Sequence, residues 1–270
     1  MTARLLAVHP HPDDEVSRGG ATIAHYAARG IESVLVTCTD GAAGRVLNPR
    51  FVPPPDYDLS SPIDMANIRS TELECSARTL GYVRTHRLPF GDSGPDGTAG
   101  GSRAFAHAPL ADSARALAAV IRQERPDVIV GYGPKHARDP HPDHLRSHVV
   151  LLAALDIVGR ADIAVFWVAF SLQRHRALSR RCTEREVVDP YASGIAFGPD
   201  GFDDAQITTR VPLDLVDFTR RNAALRCHAS QVAADSGWFA LSAADMHGAF
   251  PYEEFIQWRP KETRSASLFA

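Results

Sequence analysis

Short apolar runs alternate with amphipathic segments along the first 160 residues of the chain. Apolar runs of strand length lie at residues 4–9, 33–39 and 127–132, and a further strand is predicted near 84–88. Such runs are typical of strands that are buried on both faces of a sheet. Helix-length segments separate and follow them at residues 16–28, 65–80, 110–124 and 144–155. This order predicts parallel strands joined by right-handed crossovers.

Glycine and proline mark the boundaries of these elements. Gly30 and Gly81 stand at the ends of two predicted helices, as glycines at helix C-termini commonly do. Residues 41–62, which are rich in glycine, proline and aspartate, and the glycine-rich residues 91–101 predict long loops.

The alternation weakens after residue 161. Residues 163–171 and 206–211 predict strands, and residues 213–228 predict a helix. We therefore expect an α/β fold with a Rossmann-like, mostly parallel sheet, helices on both faces and a less regular C-terminal part. One domain is predicted over residues 1–270, with its core at 1–160 and a part at 161–270 that caps the site.

Composition narrows the function classes. The chain has 270 residues, of which 44% are hydrophobic and 23% charged, and its formal net charge is -3. This slightly negative charge gives no indication of a basic surface that would bind nucleic acid. No apolar run approaches the roughly 20 residues that cross a bilayer, and the first apolar stretch is too short for a signal-peptide core. We therefore predict a cytoplasmic protein without a membrane partner.

The four cysteines are widely separated and form no C-x-x-C pair. In a chain of this length they are expected to be reduced and mostly buried rather than paired in disulfides. Histidine and carboxylate must then supply the ligands of any metal site. The cysteines in question are Cys38, Cys75, Cys182 and Cys227.

The first informative motif is HPHPDDE at residues 9–15, directly after the first predicted strand. Open α/β sheets bind ligands at the carboxyl ends of their strands. Because the glycine fingerprint G-x-G-x-x-G is missing here, a nucleotide-dependent Rossmann enzyme is disfavoured. The imidazole and carboxylate groups of this turn instead suit a cation or a proton transfer.

The second motif, DPHPDH at residues 139–144, follows the strand at 127–132. Both motifs are therefore expected above the same edge of the sheet. A catalytic zinc ion takes three nitrogen or oxygen ligands and keeps a fourth position for water. His11, Asp14 and His144 would supply this set, which also suits other divalent metals such as Fe²⁺ or Co²⁺.

The remaining polar residues of the two motifs complete a hydrolytic mechanism. Asp13 is expected to act as general base on the water, and a protonated His141 to stabilise the oxyanion and protonate the leaving amine. Asp143 and Glu15 are candidates for partners that fix the ligand histidine rings. Asp13 and Glu15 would also be explained without any catalytic role, because acidic residues at the N-terminus of the first helix interact favourably with the helix dipole. His9 and His148 are expected to be structural.

These motifs resemble those of the LmbE/PIG-L superfamily of zinc-dependent N-deacetylases. AVHPHPDDEVSRGGATIAHYAARG is similar to the first family motif and HPDH to the second, within a resemblance over about the first 155 residues. It implies zinc at His11, Asp14 and His144, with Asp13 as general base and His141 as oxyanion stabiliser or acid. The implied reaction removes an acyl group from the amide nitrogen of a small glucosamine-type substrate.

Four further segments resemble the actinobacterial mycothiol branch, which comprises a deacetylase and the mycothiol S-conjugate amidase. By this resemblance Arg69 and Asp92 contact sugar or inositol hydroxyls, and Glu72 helps to hold this wall of the substrate pocket in place. Arg69 and Glu72 would equally form an i,i+3 pair on a helix surface. The four segments are TCTDGAAGRVLNP, IRSTELECSARTLG, FGDSG and HASQVAADSGW.

Two positions bear on the choice within this branch. Asp139 stands where the branch usually has a tyrosine that assists the oxyanion. This leaves open that another group supplies that hydrogen bond, that the substrate differs, or that the chain is a non-catalytic sugar-binding protein. Arg18 stands where the conjugate amidases carry a basic residue, so it is a candidate substrate contact, although a solvated helix face would explain it as well. His228 and residues 235–238 are candidates for closing the pocket.

Overall fold

The computed structural model describes residues 2–134, 141–190, 202–259 and 265–269. These residues form a seven-stranded sheet in the order β3-β2-β1-β4-β5-β7-β6. The first five strands in this order are parallel, and β7 is antiparallel to both of its neighbours. The strands are β1 (Arg4–His9), β2 (Glu32–Thr39), β3 (Tyr82–Phe90), β4 (Val128–Gly131), β5 (Ala164–Ala169), β6 (Thr209–Pro212) and β7 (Tyr252–Arg259).

Helices cover both faces of this sheet, so the predicted fold class is confirmed. Along β1, Leu5 and Ala7 point into one hydrophobic core, and Leu6 and Val8 point into the other, because successive strand residues face opposite sides. The helices are α1 (Asp14–Ser17), α2 (Gly20–Ala27), α3 (Pro62–Leu80), α4 (Leu110–Glu124), α5 (Pro142–Val158), α6 (Leu172–Glu184), α7 (Leu215–Cys227) and α8 (Ala243–Ala249).

The helix predicted at residues 16–28 is interrupted. It forms α1 and α2, because Gly19 adopts a φ of 98°, a conformation that ends one helix and re-aims the chain. The predicted stop at Gly81 is confirmed, since this residue has a φ of 94° at the end of α3.

The C-terminal part is more regular than expected. Helices α6 and α8 and strand β7 were not predicted, and β7 lies between β5 and β6 in the sheet. Since strand β5 pairs with β4, this part continues the sheet of the first 160 residues. The division into a core and a capping part stays a prediction.

The prediction that all four cysteines are reduced is wrong. Cys75 on α3 and Cys227 at the end of α7 form a disulfide, with 5.7 Å between their Cα atoms. The two helices pack side by side and bring together residues that are 152 positions apart, which cysteine spacing does not reveal. Cys38 and Cys182 are free and buried, as expected. Among the described helices, none has the length and apolar character needed to cross a bilayer.

Candidate metal and catalytic site

The two motifs meet at the carboxyl edge of the sheet. His9 ends β1, and the turn after it leads into α1. His141 is the N-cap of α5, where its Nδ1 accepts a hydrogen bond from the backbone N–H of Asp143. Asp139 lies outside the described residues, so the prediction at that position stays a prediction.

Three predicted metal ligands converge on one point. The Nδ1 atom of His11 lies 3.4 Å from Oδ2 of Asp14 and 3.3 Å from Nε2 of His144. The third edge of this triangle, from Nε2 of His144 to Oδ2 of Asp14, measures 3.2 Å. All three residues are buried.

This triangle fits a divalent cation. In a tetrahedral zinc site with bonds of about 2.0–2.1 Å, the ligand atoms lie about 3.3–3.4 Å apart. The surrounding negative charge also favours a cation. Burial lowers the pKa of His11, but hydrogen bonds to Asp14 and Asp143 and the charge of Asp92 outweigh this and raise it to about 10. A site with this negative field favours a bound cation.

The other ring nitrogen of His11 faces a second set of carboxylates. Its Nε2 lies 3.2 Å from Oδ2 of Asp143 and 3.6 Å from Oδ1 of Asp92. Asp143 is held in turn by the backbone N–H of Ser93 at 2.9 Å and by the Ser93 hydroxyl at 2.6 Å. Asp143 therefore lies where the sequence predicts a partner that fixes the His11 ring.

Asp92, His11, His141 and Asp143 also form a group that could hold a metal. Asp143 already accepts two hydrogen bonds from Ser93, and its distance to Nε2 of His11 is that of a hydrogen bond. The two groups share His11, and the assignment of the metal to His11, Asp14 and His144 stays a prediction. Asp92 lies between the two histidines, with Oδ1 4.0 Å from Nε2 of His141.

Asp13 has an unusual backbone. Its φ of 102° lies in a region that residues with a side chain rarely adopt. The backbone N–H donates to Oε2 of Glu15 at 2.7 Å, and the carboxylate accepts from Nη2 of Arg69 at 2.8 Å. Desolvation by the surrounding protein raises the pKa of Asp13, whereas the Arg69 guanidinium opposes this shift.

The structure places Arg69 inside the protein, so the alternative of an exposed surface pair is wrong. Its side chain donates to the Pro12 carbonyl and to Asp13, and its Nε lies 3.9 Å from Glu72. Glu72 accepts hydrogen bonds from the backbone and the hydroxyl of Ser230. Arg69 thus contacts the predicted base, and a sugar contact of this residue stays a prediction.

His141 lies beside both ligand histidines. Its ring centroid is 4.4 Å from that of His11 and 5.4 Å from that of His144. Burial and these two neighbouring rings lower the pKa of His141, while the carboxylates of Asp143 and Asp92 oppose the shift. On balance the pKa of His141 is lowered, which favours the neutral ring in the free protein.

Arg18 does not lie on a solvated helix face. Its Nη1 donates to Oδ1 of Asp14 at 2.8 Å, and its guanidinium lies 5.8 Å from the centroid of the Tyr132 ring. Together with His144, Arg18 holds the pKa of Asp14 well below its usual range despite burial. Tyr132 also lies 3.2 Å from Nδ1 of His9, which is in keeping with a structural role for that histidine.

The contacts of Glu15 differ from the expectation. Its Oε1 lies 2.7 Å from Nε2 of His228 and accepts from the Ser76 hydroxyl, while Oε2 accepts from the Asp13 backbone. The carboxylate therefore points into the interface between α1, α3 and α7, away from the ligand histidines. His228 is fully buried against Glu15. The segment HASQVAADSGW contained this partner, yet its spacing gave no sign of the contact.

A cavity of about 360 Å³ opens over the predicted ligands. Trp238 from the C-terminal part lines it, whereas His228 is buried beside Glu15 and is not among the lining residues. Closure of the pocket by residues 235–238 stays a prediction. A larger cavity of about 750 Å³ is lined by Asp92 but by none of the three predicted ligands. The walls of the smaller cavity include His11, Asp13, Asp14, Arg18, His141, His144, Leu47, Gln231 and Trp238.

Comparisons with known proteins agree with the motifs. The family model described as PIG-L: GlcNAc-PI de-N-acetylase matches residues 6–155. The chain is 36% identical to the 1D-myo-inositol 2-acetamido-2-deoxy-alpha-D-glucopyranoside deacetylase of Acidothermus cellulolyticus, over 96% of this chain and 90% of that protein. It is 32% identical to the mycothiol S-conjugate amidase of Streptomyces coelicolor, over 93% of this chain and 90% of that protein.

A solved structure shares the fold. The N,N'-diacetylchitobiose deacetylase from Pyrococcus horikoshii superposes with a TM-score of 0.60 at 21% identity, over 94% of this chain and 83% of that one. The resemblance predicted from the two motifs is therefore confirmed for the family and for its mycothiol-related relatives.

Proposed function

Because the chain belongs to the PIG-L family of GlcNAc-PI de-N-acetylases, we propose that it is a zinc-dependent hydrolase of N-acyl glucosamine compounds. The observation that carries this proposal is the triangle of His11, Asp14 and His144. Its edges measure 3.2–3.4 Å, and Asp13 and His141 line the same cavity. The five groups together are sufficient for amide hydrolysis.

The proposed ion is zinc, held by His11, Asp14 and His144. Two imidazoles and one carboxylate with a cavity beside them match the ligand set of catalytic zinc sites. Fe²⁺ and Co²⁺ remain alternatives, because the same ligands suit them. When bound, a divalent ion there supplies Lewis-acid activation of the water and of the amide carbonyl.

Asp13 is proposed as the general base. It takes a proton from the attacking water, and the raised pKa of this carboxyl brings it closer to the range in which a base works well near neutral pH. Arg69 keeps the carboxylate in one orientation through the 2.8 Å hydrogen bond. The left-handed backbone of Asp13 directs its side chain to the cavity rather than along α1.

His141 is proposed to stabilise the oxyanion and to donate a proton to the leaving nitrogen. The ring lines the cavity next to the ligand histidines, where negative charge develops as the amide carbon becomes tetrahedral. Asp92 lies 4.0 Å from the Nε2 atom of His141 and favours its protonated form. An amine leaves poorly as an anion, so this proton is needed for the C–N bond to break.

The proposed substrate is a small glucosamine derivative with an acylated nitrogen and a polyol aglycone. The relative from Acidothermus cellulolyticus is named for such a compound, an inositol glycoside of N-acetylglucosamine. Arg69, Asp92 and Arg18 are proposed to contact its hydroxyls. The hydrolysis of a small-molecule substrate of this kind accords with the cytoplasmic location that we propose.

A second candidate is hydrolysis of a mycothiol S-conjugate. Arg18 favours it, because its guanidinium lies in the cavity beside Asp14 and offers a cation to a substrate that is more polar than a simple acetamide. The relative from Streptomyces coelicolor is named for this activity. The two candidates share the metal ligands and differ in the acyl group that the cavity accepts.

Zinc-loaded protein incubated with three compounds tests the proposal. N-acetylglucosaminyl-inositol, a mycothiol S-conjugate and N-acetylglucosamine are assayed for release of free amine. We expect amine from one of the first two, and that choice separates deacetylase from conjugate amidase. If zinc binds stoichiometrically and no compound releases amine, the result counts against the proposed hydrolase and favours the alternative of a sugar-binding protein that kept the fold.

A further inference from the structure

A disulfide lies directly beside a buried polar cluster. Cys75 precedes Ser76 on α3, and Cys227 precedes His228 at the end of α7. The Ser76 hydroxyl and Nε2 of His228 both contact the same atom, Oε1 of Glu15, the latter at 2.7 Å. Glu15, Ser76 and His228 are each fully buried. The disulfide thus joins the two chain segments whose side chains contact Oε1 of Glu15.

The other oxygen of Glu15 reaches the predicted base. Its Oε2 accepts the backbone N–H of Asp13 at 2.7 Å. Asp13 has a φ of 102°, and a residue with a side chain keeps such a backbone only where its surroundings impose it. The contacts that impose it here are this hydrogen bond and the two hydrogen bonds from Arg69 to Pro12 and Asp13.

We infer that the Cys75–Cys227 disulfide and the Ser76–Glu15–His228 cluster form a redox-sensitive device that positions Asp13 for hydrolysis. Glu15 and His228 are then positioning residues that act through the Asp13 backbone. The inference rests on the proposed function, because it assigns a role relative to the proposed base. A disulfide in a cytoplasmic enzyme is more often redox-sensing than structural, which fits this role.

The redox step needs a dithiol reductant. One thiolate of the dithiol attacks a sulfur of the disulfide, and the S–S bond breaks to give a mixed disulfide. The second thiol of the reductant resolves it, so the reductant ends as a cyclic disulfide. Its two protons and two electrons are then found on Cys75 and Cys227 as free thiols.

The environment of the four cysteines directs this chemistry to one pair. Cys75 and Cys227 are half-buried and within reach of a small reductant. Cys38 and Cys182 are buried, and burial raises the pKa of both thiols, to about 11 for Cys182, which keeps them in the unreactive form. An effect of reduction is therefore assigned to the disulfide.

Loss of the disulfide is expected to loosen the cluster without unfolding the domain. Helices α3 and α7 pack closely along their length. Glu72 also accepts two hydrogen bonds from Ser230, at 2.6 Å and 2.8 Å, and so ties α3 to the segment after α7 a second time. Reduction should then make Ser76 and His228 more mobile and weaken their hydrogen bonds to Glu15, while the rest of the domain stays folded.

The experiment follows turnover and amide hydrogen exchange in oxidised and dithiol-reduced zinc enzyme. We expect reduction to lower kcat about tenfold, with KM changed by less than about twofold and zinc content unchanged, because the base is misplaced. Exchange at residues 13–16 should accelerate by a similar factor, about tenfold. The double variant C75S/C227S should behave like reduced enzyme and ignore the dithiol, whereas Cys182→Ala should keep the response.

Variants at His228 separate positioning from a general loss of stability. His228→Ala in the oxidised enzyme should lower kcat, keep zinc and show a smaller response to the dithiol. His228→Gln should recover most of the rate, because its amide N–H is able to donate to Glu15. If neither reduction nor His228→Ala changes kcat or the exchange near Asp13, the device is disproved. If no substrate is hydrolysed, the proposed function fails while the exchange measurement still tests the device.

Discussion

The two sides of the His11 ring have similar residues but different surroundings. On the Nδ1 side, Asp14 and His144 come within 3.4 Å of the ring nitrogen, and both line the cavity. On the Nε2 side, Asp143 lies at 3.2 Å, yet its oxygens are occupied by the backbone and the hydroxyl of Ser93. The oxygens of Asp14 are also occupied, by the backbone N–H of His11 and by Arg18, so hydrogen bonding does not separate the two carboxylates. They differ in that Asp14 lines the cavity and Asp143 does not, and this access to the cavity, more than residue type, distinguishes their proposed roles.

The largest expected effect comes from removing a ligand on the Nδ1 side. His144→Ala should abolish stoichiometric zinc binding and lower kcat/KM by about 10³-fold or more, because the metal contributes several kcal/mol of transition-state stabilisation. Metal analysis after dialysis, together with the amine-release assay, measures both quantities. Full zinc occupancy in this variant would show that the metal does not bind at the Nδ1 side of His11.

Replacing the proposed base should affect turnover alone. Asp13→Asn should keep zinc and lower kcat by about 10²–10⁴-fold, because it removes general-base catalysis and leaves the ligands in place. Steady-state rates combined with metal content separate this result from that of His144→Ala. A variant that retained full activity would assign the base to another residue.

Residues on the Nε2 side of His11 should change the affinity for zinc without being metal ligands. Asp143→Asn should weaken zinc affinity by about 10–100-fold, since the ring of His11 loses the carboxylate that orients it. Competition with a chelator of known affinity gives the zinc dissociation constant. A complete loss of zinc, as severe as in His144→Ala, would mean that Asp143 is itself a ligand.

The smallest effect is expected at Ser93, which contacts Asp143 rather than His11. Ser93→Ala removes the 2.6 Å hydrogen bond to Asp143 and leaves the bond from the Ser93 backbone. One hydrogen bond contributes about 1 kcal/mol, so zinc affinity should fall by about fivefold. The same chelator competition applies, with Ser113→Ala as a matched control on α4, where the buried hydroxyl donates to the Pro109 carbonyl. Equal effects in both variants would contradict a specific link from Ser93 to the metal site.

The parts of the site that could be predicted share one property: they lie within two short motifs. His11, Asp14 and His144 follow from residue type, local spacing and the placement of both motifs after strands of a parallel sheet. The central strands follow from continuous apolar runs, as in Arg4–His9, whose predicted bounds are those observed.

The parts that were missed depend on packing between distant segments. The contact of Glu15 with His228 joins residues 213 positions apart, and the disulfide joins residues 152 apart. Strand β7 was hidden for a similar reason, since its place between β5 and β6 is set by antiparallel pairing with strands formed earlier in the chain. For Arg69 the sequence left a substrate contact and an exposed pair with Glu72 both open, because helix periodicity does not tell which charged side chain is covered by a neighbouring turn.

Each proposed catalytic role depends on a metal ion at the Nδ1 side of His11. A crystal structure of the zinc-loaded protein, with anomalous diffraction measured at the zinc absorption edge, tests it directly. We predict one anomalous peak bonded to His11 Nδ1, Asp14 and His144 Nε2. A peak between His11 Nε2, Asp92 and His141 instead, or no peak at either position, would contradict the account.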